Sequence, residues 1–109
     1  MTAPLIGDRE GGHVYGTIAR MKVTKDNLEK LQALMEEVEQ REVPGFRSSH
    51  ILVPDEWNDE VLMVVFFDDK ATYVANADDP RMHEDYLRYR ALLEAEPEWT
   101  DGEWITYGA

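Results

Sequence analysis

Val61-Leu62-Met63-Val64-Val65-Phe66-Phe67 is a run of seven apolar residues, several of them β-branched or aromatic. Such residues favour a strand, and an unbroken run places large apolar side chains on both faces of the sheet. Upstream, Phe46 to Val53 reads as a second strand, with Pro54-Asp55 and Asn58-Asp59 marking the connection between the two. Before that, Leu28, Leu31, Leu34, Met35 and Val38 recur at helical spacing, while Glu29, Lys30, Glu36, Glu37 and Gln40 fall largely on the opposite side. Thr24 is the expected N-cap of this helix, and Asp26 lies in its first turn, where the helix dipole favours an anion. The helix is expected to end before Pro44-Gly45. His13 to Val23, with Val14, Tyr15, Thr17, Ile18, Met21 and Val23, reads as the first strand.

Downstream of the apolar run a second helical region is expected in two pieces, Asp69 to Ala75 and Pro80 to Glu94. Met82, Tyr86, Tyr89 and Leu93 lie down one side of the longer piece, and Gly102 to Tyr107 is expected to form the last strand. The order predicts an α+β domain of ferredoxin-like βαββαβ type, with two right-handed crossovers and an antiparallel sheet. Residues 1–12 contain Pro4, Gly7, Gly11 and Gly12 without periodicity and are expected to be a loose arm; 13–109 form the domain.

Both helical regions fall on one face of such a sheet, yet the apolar run has two faces to cover. Burial of the second face gains on the order of 25 cal/mol per Å² of apolar area. Either the short arm or a second copy of the sheet must supply the cover. Because most oligomers are symmetric dimers, a homodimer is the expected solution.

A chain of 109 residues has room for one domain. Its 23 acidic and 11 basic residues give a formal charge of −12, which repels phosphate backbones and anionic lipid. Nucleic-acid and membrane-surface partners are therefore not expected. The absence of cysteine removes thiol nucleophiles, thiolate metal sites and disulfides, and fits a reducing, cytoplasmic setting. The first residues lack the basic start and apolar stretch of a signal peptide, and no apolar run approaches the ~20 residues that span a bilayer.

With Val43-Pro44-Gly45-Phe46 after the first helix, and the third strand running into Asp68-Asp69-Lys70-Ala71 and then Asp79-Pro80-Arg81-Met82-His83, the sequence resembles the dimeric α/β-barrel family of antibiotic biosynthesis monooxygenases and small haem-degrading enzymes. The resemblance spans about His13 to Tyr107. It implies a pocket in each subunit between the sheet and the second helical region. In the monooxygenase branch it implies cofactor-independent oxygenation of a small aromatic, anthrone-like substrate, with Asn, Trp and Tyr side chains contributing to the site. In the haem-degrading branch it implies haem held by a His on the second helical region, and His83 falls near that place. The first-strand Asn of that branch is replaced here by Ala19, or by Thr17 if the register slips. Val74 stands at a Trp position, and Phe67 stands where a Trp often ends the third strand.

The candidate site residues follow. His83 is a candidate iron ligand or general acid/base, with an ordinary pKa near neutrality, and equally an exposed helix residue beside Glu84 and Asp85. Arg20, in an otherwise apolar strand, is a candidate to hold a developing enolate or phenolate, or to pair with an acidic neighbour. Tyr73 and Tyr86, with Phe67, are candidates to contact a flat aromatic ligand, since each tyrosine offers a ring and an orienting hydroxyl. Tyr89 shares that reading, or packs as ordinary core. His50 is read as packing at the dimer interior, Trp57 as a cap on the partner or the pocket mouth, and Trp99 and Trp104 as support for the last strand. Asp68-Asp69 and Asp78-Asp79 match no calcium loop, and no His or Glu spacing supports a transition-metal site; they read as solvated charge, with no metal expected. No nucleophile elbow, phosphate loop or dinucleotide fingerprint is present. Three activities remain: a cofactor-independent oxygenase, with Arg20 or His83 assisting deprotonation; a haem-binding protein ligated through His83; and a non-catalytic binding or stress-associated module.

Overall fold

The computed structural model describes residues 14–107; the expected arm and His13 lie outside them. The elements are β1 (Val14–Lys22), α1 (Lys25–Glu39), β2 (Phe46–Leu52), β3 (Glu60–Phe67), α2 (Lys70–Ala77), α3 (Pro80–Leu92) and β4 (Glu98–Trp104). The strands form one antiparallel sheet in the order β2-β3-β1-β4, with β2 and β4 at the edges. This is the ferredoxin-like order expected from the sequence.

Helix starts are set by side chains that accept from free backbone N–H groups. Thr24 Oγ1 accepts from the Asn27 N–H at 3.3 Å. Asp69 accepts from the Thr72 N–H at 2.9 Å and so starts α2, while Asp79 accepts from the Arg81 N–H at 2.8 Å and starts α3, with Pro80 in the first turn. One member of each acidic pair is therefore also a helix cap.

Alternation along the central strands sorts the sheet into two faces. Ala19, Met21, Val61, Met63 and Phe67 point toward the helices and are buried with Val23, Leu31, Leu34, Tyr89 and Leu93. Ile18, Leu62, Val64 and Phe66 point the other way and are only partly covered. On that outer face Trp104 meets Phe66 edge-on at 4.8 Å, and His50 meets Phe66 at 5.8 Å.

The turn after α1 depends on Gly45. Its φ of +82° is a conformation that L side chains rarely adopt, and a Cβ there would lie 2.4 Å from the Thr72 side chain. The Gly45 carbonyl accepts from the Asp68 N–H at 2.8 Å, tying the turn to the end of β3. The Pro44-Gly45-Phe46 signal thus marks the place where turn and α2 meet.

The last strand differs from its expected span. It begins at Glu98, and Gly102 sits mid-strand opposite Gly16. Asp101-Gly102 carries turn chemistry in sequence, but an edge strand with an open side tolerates both residues. No helix among the described residues is long and apolar enough to cross a membrane.

Candidate functional site

Between the inner face of the sheet, the C-terminal end of α1 and the helix α3 lies a cavity of about 100 Å³. Its floor is apolar. Met63, Val65 and Phe67 of β3 and Phe46 of β2 form one side, with Met35 and Val38 of α1 and Met82 and Tyr89 of α3 facing them. An engineered apolar cavity of roughly 150 Å³ holds a benzene molecule, so this smaller space takes part of one ring and leaves the rest of a fused system at the mouth.

The polar wall comes from Glu39, Arg41, Ser49, Asn76, Asp79, Arg81 and Asp85. Asp85 is 3% exposed, and a carboxylate so buried needs a partner. Arg41 donates to it, and Arg88 stands 3.6 Å away while also pairing with Glu37 at 2.8 Å. This chain of charges clamps α1 to α3 above the cavity. Tyr89, beside it, has its phenol pushed up to about 12 by burial and then by the Asp85 charge.

Arg81 and Asn76 differ from the clamp residues. Arg81 makes a loose ion pair with Asp79 at 3.8 Å, beyond hydrogen-bond range, and the Asn76 side chain makes no hydrogen bond among the described residues. Both line the cavity and carry N–H groups that can donate to an oxygen that acquires negative charge.

The sequence candidates scatter. Phe67 is 2% exposed and forms part of the cavity wall. Tyr73 sits behind Phe67 with ring centroids 5.6 Å apart, its hydroxyl donating to Asp101 at 2.9 Å. Tyr86 donates to Glu96 beyond the far side of α3 and is not on the cavity wall. His83 is exposed on α3 and is likewise absent from that wall. Arg20 is exposed on the outer face of the sheet, opposite Glu98 in the register, so the sheet separates it from the cavity. Trp57 packs partly against the core and donates to Asp59 at 2.8 Å.

A haem does not fit these residues. The space is far too small for a tetrapyrrole, His83 does not face it, and the Thr17 hydroxyl already donates to the Thr100 carbonyl at 3.1 Å. Among the described residues no three His, Asp or Glu side chains are grouped to hold a metal ion.

Four wall residues, Arg41, Asn76, Arg81 and Asp85, were not legible as site residues. Asn76, Arg81 and Asp85 lie within ten residues of one another and Arg41 lies far from them, and by residue type each suits a solvated helix surface. One signal was available: Asp85 falls between Met82 and Tyr89 on the apolar stripe of α3, where an acid must be buried.

The fold is shared with solved structures. The monooxygenase ActVA-Orf6 of Streptomyces coelicolor, solved with nanaomycin D, superposes with a TM-score of 0.74 at 21% identity, over 94% of this chain and 96% of that one. SnoaB of Streptomyces nogalater, a cofactor-independent oxygenase, gives 0.67 at 12% identity, over 89% and 96%. Rv0793 of Mycobacterium tuberculosis gives 0.68 at 16%, over 88% and 99%. No curated protein matches the sequence. Residues 14–88, from β1 into α3, match the antibiotic biosynthesis monooxygenase family. With its cavity set between that family's sheet and helices, the chain belongs to the antibiotic biosynthesis monooxygenases.

Proposed function

We propose that the protein is a cofactor-independent oxygenase that takes part of one ring of an electron-rich hydroxylated aromatic into the cavity. The observation that carries this reading is the pairing of an apolar floor with two side-chain donors on its wall, Asn76 and the guanidinium of Arg81, whose nearest carboxylate is Asp79 at 3.8 Å. Loss of a proton from an anthrone-type substrate leaves an enolate oxygen, and Arg81 and Asn76 are placed to hold that charge. The substrate proton passes to water, the carbanion gives one electron to molecular oxygen and recombines with the superoxide as a hydroperoxide, and loss of one water leaves the new carbonyl. The monooxygenase activity named for ActVA-Orf6 and SnoaB agrees with this reading.

The Asp85–Arg41 clamp fixes the helices around the ring, and Phe67 supplies a face for it to pack on. His83 and Arg20, the expected helpers in deprotonation, lie outside this cavity, so the reading assigns the oxyanion to Arg81 and Asn76. The apolar outer face of the sheet supports a homodimer, as expected from the two-sided β3, and the cysteine-free composition suits the cytoplasm.

Oxygen uptake with an anthrone tests the function. Wild type is expected to consume oxygen saturably, and Arg81→Gln to lower kcat by about 100-fold with little change in KM, the size of effect seen when one oxyanion donor is lost. An anthrone that binds saturably without oxygen consumption would sink the oxygenase reading and leave a binding module.

A further inference from the structure

Tyr73 joins the cavity wall to a surface carboxylate. On one side its ring meets Phe67 at 5.6 Å and 81°, and Phe67 is part of the cavity wall. On the other it meets Tyr15 at 5.2 Å. Its hydroxyl, turned away from the cavity, donates to the exposed carboxylate of Asp101 at 2.9 Å. One aromatic ring therefore separates the reacting space from a phenol whose proton already has an acceptor.

We propose that Tyr73 is a redox outlet of the cavity, reducing oxidising radicals that escape productive turnover. The inference rests on the oxygenase reading, since oxygen chemistry on an aromatic is what supplies such radicals. The step is balanced: an organic peroxyl radical in the cavity gains one electron and becomes the peroxide anion. Tyr73 loses that electron, its hydroxyl proton moves to the Asp101 carboxylate, and a neutral tyrosyl radical remains. Tyr15 is the adjacent phenol, its ring centroid 5.2 Å from that of Tyr73.

Two features of the site fit this chemistry. Burial, followed by the Asp101 hydrogen bond and charge, pushes the Tyr73 phenol up to about 12, so it is protonated at neutral pH and must lose a proton as it is oxidised. Asp101 supplies that acceptor without rearrangement. A hydrogen bond that only tethered α2 to β4 would need no aromatic contact with the cavity wall.

Anthraquinone, a flat aromatic photo-oxidant, is the probe. Its binding to the full chain is measured first by calorimetry, and the complex is then illuminated without oxygen and examined by electron paramagnetic resonance. The expected result is a neutral tyrosyl signal that is lost in Tyr73→Phe, which keeps both ring contacts, and is strongly reduced in Asp101→Asn, with anthraquinone affinity unchanged in both variants. Binding with a tyrosyl signal that survives Tyr73→Phe, or with no tyrosyl signal, overturns the outlet and leaves the ring site standing. Failure of anthraquinone to bind removes the ring site and the outlet together.

Discussion

The two faces of the sheet are built from the same strands and meet different fates. Along β3, Val61, Met63 and Phe67 are buried under α1 and α3, while Leu62, Val64 and Phe66 keep part of their surface open. The difference is not hydrophobicity, since the run is apolar on both parities. It is supply: both crossovers deliver their helices to one face. The inner face carries the fold and the cavity, and the outer face carries the case for a partner.

That contrast breaks most visibly at Phe67. Replacing this buried ring by Ala is expected to cost about 3–5 kcal/mol, read as a lower urea midpoint, because Phe67 packs against Phe46 and Tyr73 as well as facing the cavity. Val64→Lys, on the other parity of the same strand, is expected to leave circular dichroism and monomer stability nearly intact. It should convert dimers to monomers in sedimentation, because Val64 sits between His50 and Ile18 in the middle of the outer face. If Val64→Lys unfolds the chain as Phe67→Ala does, the two faces are not separable in the way described.

A smaller effect sharpens the same comparison through pH. Tyr89, under the helices, is pushed from 10.0 to about 12 by burial and then by Asp85. Above pH 10 the unfolded phenol loses its proton while the folded one keeps it. Stability is therefore fully present below the unfolded pKa and declines as pH rises toward 12. Tyr89→Phe should lessen the slope of stability against pH between 10 and 12, measured by urea unfolding, with Tyr73, also pushed up to about 12, supplying the part that remains. No tyrosine of the four strands lies on the outer face, so outer-face variants should leave that slope unchanged.

How far the sequence reached follows the same physics. Local signals were readable: the Thr24 cap, the helical spacing from Leu28 to Val38, and the two-sided run of β3 all found their expected places. β4 was harder because an edge strand tolerates Asp101 and Gly102, whose chemistry otherwise marks a turn. The cavity was anticipated between sheet and second helical region, and Phe67 is on its wall. Its polar wall was not readable, because only tertiary packing brings Arg41 to Asp85 and turns Asn76, Arg81 and Asp85, neighbours in sequence, toward the sheet. Arg20 drew notice as a charge in an apolar strand, and strand alternation places it on the face away from the cavity.

The contact between Gly45 and Thr72 bears on how this pocket can change over evolutionary time. Gly45 is held by two independent demands, its left-handed torsion and the absence of room beside Thr72, so shortening Thr72 alone would not free it. The corner that launches β2 is in effect frozen. On the α3 side, Arg81 is an exposed residue in a loose ion pair with Asp79 at 3.8 Å, and Met82 is only half-buried. Drift in ligand preference should therefore accumulate along α3, leaving the turn as the fixed wall against which new specificities are cut.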